Sequence, residues 1–343
     1  MIKELLQEGF ILKTRGYYKY AIEAFYKALE FDNTSSELLL EIADTYYLMG
    51  EEERAISYIE QVLDKDPAHA ESLKLLKKIF TDKKAWEEAE QTAKNIYCIT
   101  NQTEDLAAIF ELLNKQNRFN EIFEYETDKI SPEILYQKAF AKFYLNELDE
   151  AEKLINEALN FVQKREYLLL KCKILFKMNR KEKCVELIEN IKEEAPSADF
   201  LNFAGLIKQY QGKFKQAIDC FTEAIKLAPS EDEYYYNCAS TYFKADNIRL
   251  AKKYYNLAIS LNPDNQNYHF ALANLHYSQK HYKRALEELT GDFFEARLLK
   301  SIILYDSGYL ALARIELESL AKERPEDPIV KDYKSRIENE LRI

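Results

Sequence analysis

Small, mostly apolar side chains return along the chain at a nearly constant interval. Ala21, Ala55 and Ala89 are spaced by about 34 residues. A second run keeps nearly the same interval and consists of Ala151, Cys184, Ala217, Ala251 and Ala285, with Ala313 following after a shorter one. Another small residue lies 12 positions before most of these, in the series Gly9, Ala43, Ala139, Cys172, Gly205, Ala239, Ala273 and Ser301. Such pairs predict helical hairpins whose two helices approach closely at one point, because larger side chains would push the helices apart.

Glycine and proline follow the same interval. Four glycines precede the second small residue of a unit by five positions, namely Gly16, Gly50, Gly212 and Gly308. There the first helix of a hairpin must end, and we predict left-handed backbone. Five prolines follow the second small residue by 12 positions, namely Pro67, Pro196, Pro229, Pro263 and Pro325. A proline at that point ends a helix without removing an internal hydrogen bond.

This pattern resembles the tetratricopeptide repeat, whose period is about 34 residues. The segment from Asn202 to Pro229 matches best, with Gly205, Gly212, Phe214, Ala217, Phe221, Ala224 and Pro229 in the small, aromatic and proline positions of the family. Gly9 to Asn33 is nearly as good, with Ala21, Phe25 and Ala28. The resemblance implies an all-α fold, a right-handed α-solenoid of about ten helical hairpins.

The register places hairpin starts near residues 2, 36, 70, 104, 132, 165, 198, 232, 266 and 294. Residues 1–103 form three N-terminal repeats, and 132–326 form the fifth to tenth. Residues 104–131 form a short hairpin in which Ile122 and Phe123 replace the alanine. This segment is either a hinge or part of a continuous rigid solenoid. The ninth hairpin also ends early, after Leu289.

The sequence predicts different structures at the two ends of the array. Residues 327–343 are predicted to form a capping helix with an apolar stripe of Ile329, Tyr333, Ile337 and Leu341. No matching cap precedes the first hairpin. Its apolar residues Ile2, Leu5 and Leu6 either pack within their own hairpin or support self-association through this N-terminal edge.

Composition excludes several classes of protein. The net charge of −11 disfavours binding to a phosphate backbone, so we expect no nucleic-acid partner. No stretch approaches the roughly 20 apolar residues of a membrane span, and no secretory signal is recognisable. We therefore expect a cytoplasmic protein. Five cysteines without a CxxC pair disfavour a disulfide framework.

By the family resemblance, first helices of successive hairpins line a concave groove that holds a partner's peptide. In the first three repeats the corresponding positions are mixed: Phe10, Lys13, Glu41, Asp44, Tyr47, Lys74 and Lys78. From residue 132 onward they are aromatic: Tyr136, Phe140, Phe143, Phe176, Phe203, Tyr236, Phe243, Phe270, Tyr277 and Tyr305. The amides Asn202, Asn237 and Asn274 lie among them. Rings and carboxamides suit an extended peptide, whereas the alternative is that many of these rings pack between helices.

The sequence offers little support for a metal-binding or catalytic site. His269, His276 and His281 lie at spacings of 7 and 5, which do not place metal ligands on one helix face. Cys172 and Cys184 occupy the two small positions of one hairpin, where cysteine serves as a small apolar residue; a redox pair is the alternative. Trp86 is expected to be structural. We therefore expect no metal, no cofactor and no enzymatic activity.

The function predicted from these observations is a scaffold or adaptor that binds a peptide segment of a protein partner in the groove. A clamp for the carboxylate end of a chaperone is disfavoured, because the relevant positions hold Leu6, Phe10, Glu41 and Glu71. The alternatives are a peptide-sensing regulator and an accessory subunit of an enzyme or of a secretion or assembly complex.

Overall fold

A computed structural model describes residues 2–32, 35–125, 127–190 and 196–341. The regular elements in these ranges are 20 α-helices and one short 3-10 helix. The protein is therefore all-α, as the repeat predicts. The chain divides into two compact units, Met1–Leu187 and Ile188–Ile343.

The first unit begins with three complete hairpins. Their helices are α1 Ile2–Thr14, α2 Tyr18–Leu29, α3 Ser36–Leu48, α4 Glu52–Leu63, α5 Ala70–Asp82 and α6 Trp86–Thr100. The unit continues with α7 Thr103–Lys115, the 3-10 helix Phe119–Glu124, α8 Pro132–Tyr144, α9 Leu148–Phe161, α10 Arg165–Lys177 and the larger part of α11 Lys181–Asn190.

The second unit follows the same alternation of first and second helices. Its helices are α12 Ala198–Tyr210, α13 Phe214–Leu227, α14 Asp232–Lys244, α15 Ile248–Leu261, α16 Gln266–Ser278, α17 Tyr282–Glu288, α18 Phe294–Asp306, α19 Leu310–Glu323 and α20 Pro328–Leu341. Nine of the ten predicted hairpin starts coincide with the first residue of a helix in the two units, and the tenth differs by one residue.

The small residues occupy the contact points of the hairpins. All members of the second-helix series, from Ala21 to Ala313, are fully buried. Where the first helix carries glycine, the second carries a phenylalanine that fills the space. A Cβ atom on Gly9 would lie 2.4 Å from the Phe25 ring, and one on Gly205 would lie 2.7 Å from the Phe221 ring. The predicted close approach of the two helices is therefore confirmed.

Left-handed backbone at the end of the first helix is also confirmed. The φ angles of Gly16, Gly50, Gly212 and Gly308 lie between 74° and 81°. The same position in the remaining hairpins holds a residue with a side chain, with φ between 58° and 64°: Lys84, Asn117, Asn146, Asn179, Asp246 and Lys280. The turn geometry is thus common to all ten hairpins, although only four carry the glycine that marks it in the sequence.

The short fourth hairpin keeps the register of its neighbours. The left-handed Asn117 precedes Ile122 by five positions, and Ile122 is fully buried where other hairpins bury alanine. Phe123 faces outward, with 37 % of its surface exposed. The second segment of this hairpin is a 3-10 helix of six residues instead of a full α-helix. That residues 104–131 act as a hinge stays a prediction.

The apolar face of α20 differs from the predicted stripe. Val330 and Ile337 are 1 % exposed and pack with Leu317 and Leu320, whereas Ile329 is 46 % exposed. A stripe with a strict spacing of four drifts about 40° around the helix at each step. Spacings of three and four, as in Val330, Tyr333 and Ile337, keep to one face. The prediction that Ile329 belongs to the apolar face of this helix is therefore wrong, and the Leu341 side chain lies outside the described residues.

At the N-terminal edge, Leu5 and Leu6 are half-buried against the core of the first two hairpins, whereas 36 % of Ile2 is exposed. Leu5 and Leu6 thus pack within their own unit, and self-association through this edge stays a prediction. None of the described helices combines the length and the apolar character needed to cross a bilayer.

Candidate functional site

Each unit carries an open pocket on the surface formed by its first helices, which we call the first-helix surface. In the first unit a pocket of about 410 Å³ lies among α7, α8 and α10; we call it the α8 pocket. Its lining consists of Glu111, Asn114, Lys115, Glu133, Tyr136, Gln137, Phe140, Glu166 and Tyr167.

The pocket of the second unit is about 540 Å³ and lies among α14, α16 and the start of α18; we call it the α16 pocket. Its lining consists of Glu233, Tyr236, Asn237, Asn267, Tyr268, Phe270, Phe293 and Glu295. Five of the predicted groove residues therefore line pockets: Tyr136, Phe140, Tyr236, Asn237 and Phe270.

Both pockets are built on a stacked pair of tyrosines from adjacent first helices. The rings of Tyr136 and Tyr167 are 4.7 Å apart at 18°, and those of Tyr236 and Tyr268 are 5.0 Å apart at 26°. The two pairs occupy the same repeat positions, the fifth residue of one first helix and the third residue of the next. Tyr167 and Tyr268 are absent from the groove residues predicted from the sequence, although their shared register is a signal that could have identified them.

A glutamate at the second position of the first helix accompanies each pair. Glu133 belongs to the α8 pocket and Glu233 to the α16 pocket. The Lys164 ammonium, 2.7 Å from Glu133, lowers the pKa of that carboxyl and lies 5.3 Å from the centre of the Tyr167 ring. An acidic residue in the first turn of a helix also interacts favourably with the helix dipole, so the position alone does not mark a site.

The two pockets differ in how their second tyrosine is bonded. The Tyr268 hydroxyl donates to Asp232 at 2.8 Å. Burial and this hydrogen bond raise the pKa of Tyr268. The position of Asp232 is taken by Pro132 in the first unit. The Tyr167 hydroxyl is buried and makes no hydrogen bond of normal geometry with the described residues, although the Lys164 ammonium interacts with it. Asn114 Oδ1, in the same pocket lining, is also buried and unpaired within the described part of the chain.

The predicted amides behave differently from one another. Asn202 and Asn237 are 4 % and 7 % exposed, and Asn237 Nδ2 donates to Asn202 Oδ1 at 3.0 Å. Both amides also donate to Glu233, at 3.4 and 3.3 Å. Asn274 is half-buried. The first two amides thus bind each other across adjacent hairpins, and their contact with a peptide stays a prediction.

The remaining predicted groove residues lie outside the two pockets. Phe203 is 5 % exposed. The Tyr277 hydroxyl donates to Asp306 at 2.6 Å, and the Tyr305 hydroxyl donates to Glu340. The other three are half-buried, with a lysine ammonium above two of the rings: Phe143, Phe176 and Phe243. Contact of these residues with a peptide stays a prediction.

On the first-helix surface of the first three hairpins, polar groups connect neighbouring helices. Lys13 lies 2.7 Å from Glu41 and 2.5 Å from Asp44. The Tyr47 hydroxyl donates to Asp82, and the Lys78 ammonium lies 4.8 Å from the centre of the Tyr47 ring. These side chains therefore already bind each other.

The histidine and cysteine candidates are dispersed or buried. His276 is 2 % exposed, and burial lowers its pKa; His269 contacts Glu288 at 3.2 Å. In the described ranges, no group of three His, Cys, Asp or Glu side chains is placed to hold a metal ion. Cys172 and Cys184 are both fully buried, and their mutual hydrogen bond, with burial, raises the pKa of Cys172. A neutral buried thiol is a poor nucleophile.

Comparison with protein families agrees with the hairpin register. Models described as "Tetratricopeptide repeat" match residues 15–79 and 232–265, and one described as "TPR repeat" matches 205–246. The chain belongs to the tetratricopeptide repeat family. The matched segments include hairpins of both compact units, and the matches at 205–246 and 232–265 include α14, which contributes to the α16 pocket.

Solved structures share the tetratricopeptide repeat fold at low sequence identity. A chain of the APC/C hetero-tetramer Cut9–Hcn1 superposes with a TM-score of 0.64 and 11 % identity, over 98 % of this chain and 76 % of that chain. A tetratricopeptide repeat protein from Parabacteroides merdae gives a TM-score of 0.55 and 16 % identity, over 70 % of this chain and 98 % of that one.

One curated relative shares part of the repeat sequence. Human RNA polymerase II-associated protein 3 is 31 % identical over 126 residues, which are 33 % of this chain and 19 % of that protein. The chain thus spans about a fifth of the length of this relative. Tetratricopeptide repeats form protein-interaction scaffolds, and this is the level of function that the comparisons support.

Proposed function

We propose that this tetratricopeptide repeat protein is an adaptor that binds a peptide segment of a protein partner across its first-helix surface. The observation that carries the proposal is the presence, in each unit, of an open pocket lined by aromatic residues on first helices. Such pockets provide apolar area together with polar groups that fix orientation.

The chemistry of the pockets supports a peptide as the ligand. Half-buried tyrosine and phenylalanine rings offer large contact areas at a small entropic cost, and such residues often dominate binding energy. The stacked pairs Tyr136–Tyr167 and Tyr236–Tyr268 hold their rings in place before binding. Preorganisation of this kind reduces the entropic cost of association.

The names of related proteins agree with a role in assemblies. The human relative is named for association with RNA polymerase II, and the Cut9–Hcn1 chain belongs to a hetero-tetramer. For this chain we propose the general role, an accessory protein that holds a partner in a complex, rather than either of those partners.

The proposal is tested by replacing two rings of the α16 pocket. In Tyr236→Ala combined with Phe270→Ala, we expect capture of partners from a lysate of the native source to weaken at least about tenfold, because ring anchors commonly contribute about 2 kcal/mol or more. Circular dichroism must show unchanged helicity. The matched control is Leu227→Ala with Leu312→Ala, which removes two apolar side chains that are 60 % and 53 % exposed on second helices of the same unit. Equal capture by the parent and the ring variant would contradict the assignment of this pocket.

A further inference from the structure

We propose that the α8 pocket takes the guanidinium group of an arginine in the partner segment. This inference rests on the proposed function, since it names the chemistry that one part of the first-helix surface recognises. It concerns only the first unit, whose pocket differs from the α16 pocket in its unpaired polar atoms.

The rim of the α8 pocket carries three carboxylates, from Glu111, Glu133 and Glu166. Glu111 pairs with Lys115 and Glu133 with Lys164, each at 2.7 Å, and all four side chains are between 38 % and 50 % exposed. Exposed ion pairs of this kind contribute little to stability, and either carboxylate can readily bind another cation instead. Among the described residues, no hydrogen bond or ion pair engages the Glu166 carboxylate. The rim therefore keeps an excess of negative charge and favours a cation.

Two buried polar atoms in the same lining make no hydrogen bond of normal geometry with the described residues. Asn114 is 5 % exposed, and its Nδ2 donates to the Gln137 carbonyl oxygen at 3.0 Å and to Gln137 Oε1 at 2.8 Å. These two bonds orient the amide and leave Oδ1 unpaired. Tyr167 is 1 % exposed, and Pro132 stands where the second unit has Asp232. The Tyr167 hydroxyl makes no hydrogen bond of normal geometry with the described residues and interacts with the Lys164 ammonium. An unpaired buried acceptor costs about 1–3 kcal/mol, so a ligand that brings hydrogen-bond donors is favoured.

Arginine fits these groups better than lysine does. A guanidinium carries five donors in a plane and can bond a carboxylate and a second acceptor while its face stacks on a ring. Tyr136 and Phe140 supply half-buried rings in the wall. The second unit contains an internal example of the same chemistry. There the Arg324 guanidinium lies 3.8 Å above the Phe294 ring and donates to Glu295 at 3.0 Å.

The test uses a display library of random dodecapeptides, from which peptides that bind the full chain are selected. Peptides that lose binding to the Tyr136→Ala, Phe140→Ala variant define the α8 pocket ligands, and we expect arginine to be enriched among them. In a synthetic copy of such a peptide, citrulline has nearly the shape of arginine but no charge. Replacement by citrulline or by lysine should weaken binding about tenfold, as expected for loss of a charge-assisted, bidentate contact.

A carboxylate variant tests the protein side of the same contact. Glu133→Gln combined with Glu166→Gln should weaken the arginine peptide about tenfold and leave the citrulline peptide unchanged. The matched control is Glu23→Gln with Glu60→Gln, which removes two exposed carboxylates on second helices of the same unit and should bind the arginine peptide like the parent.

The outcomes separate this inference from the proposed function. If peptides bind through Tyr136 and Phe140 but tolerate lysine or citrulline, or bind the carboxylate variant like the parent, the guanidinium site is wrong and the peptide-binding surface stands. If no selected peptide depends on the rings of either pocket, the proposed function fails as well.

Discussion

In two hairpins a glycine of the first helix packs closely against a phenylalanine of the second. Gly9 and Gly205 are the two glycines within first helices, and each faces a fully buried phenylalanine four residues after the second-helix alanine. Where the first helix carries alanine, as at Ala43 and Ala139, the facing residues are Ile59 and Ile155. The larger side chain thus faces the smaller one in these hairpins. The hairpin of Ala239 places the buried ring of Tyr255 at the same second-helix position, so the fit of phenylalanine to glycine is specific to the hairpins of Gly9 and Gly205.

This complementarity predicts that Gly9→Ala destabilises the first hairpin. Overpacking costs roughly 1–3 kcal/mol, whereas alanine gains about 1 kcal/mol in helix propensity over glycine. Because the new Cβ would lie 2.4 Å from the Phe25 ring, we expect overpacking to outweigh the gain and the free energy of unfolding to fall by up to about 2 kcal/mol. Thermal unfolding and hydrogen exchange of α1 and α2 measure it.

A double variant provides the control. Phe25→Leu removes ring volume, so Gly9→Ala should cost less in that background than in the parent, and the difference is the coupling between the two positions. A Gly9→Ala cost that is the same in both backgrounds would contradict the proposed contact.

At the scale of elements, the short fourth hairpin is held by a polar network instead of a full second helix. The Glu90 carboxylate on α6 is 5 % exposed and accepts from Lys94 at 2.7 Å, Gln116 at 2.8 Å and Arg118 at 2.5 Å. Arg118 also donates to both carboxylate oxygens of Glu121. Burial alone would raise the pKa of Glu90, but these hydrogen bonds and charges outweigh it and lower the pKa.

We expect Arg118→Met to destabilise this hairpin by about 1–2 kcal/mol at neutral pH, since a buried carboxylate loses a charged donor but keeps Lys94. Hydrogen exchange of residues 103–125 at pH 7 should accelerate. A lowered folded-state pKa means that Glu90 stabilises the fold above its unfolded value and loses this contribution as pH falls through the folded pKa. The difference in stability between parent and variant should therefore become smaller at pH values below 4.5, the ordinary pKa of a glutamate carboxyl.

The control for this network is Arg15→Met, which removes an exposed arginine of the same unit. It should leave exchange in residues 103–125 unchanged at every pH. A pH-independent effect of Arg118→Met would show that the side chain acts through packing of its aliphatic part rather than through Glu90.

At the scale of the whole molecule, stability is expected to be distributed along the array. Within each unit, helices contact their neighbours in sequence and make few contacts with more distant elements. In repeat proteins of this kind, stability is approximately a sum of repeat terms and interfaces between neighbours. A local change should therefore spread only to adjacent hairpins.

Ile42→Ala tests this expectation. Ile42 is fully buried in the core of the first two hairpins, so its truncation should cost about 2–5 kcal/mol. We expect faster hydrogen exchange in α1 to α4, a smaller effect in α5 and α6, and none in α14 to α19. A uniform loss of protection over both units would instead indicate a single cooperative transition.

The sequence alone determined the positions of the hairpins, their close contact points and the left-handed turns. These features depend on a register repeated many times, so each small residue, glycine or proline supports the same assignment. The sequence could not locate the left-handed turn at Lys84 or Lys280, because lysine does not mark such a turn. It placed Ile122 and Phe123 at the alanine position of the fourth hairpin but could not decide which of the two is buried there.

The tertiary structure decided which first-helix side chains are accessible. Tyr136 and Tyr236 line pockets, whereas Phe203 is buried and Asn202 bonds Asn237. All of these occupy first helices of the predicted register, but their exposure depends on how the next hairpin packs against them. That packing joins residues of successive hairpins, far apart in the sequence, and it is set by side-chain shapes that the repeat pattern does not specify.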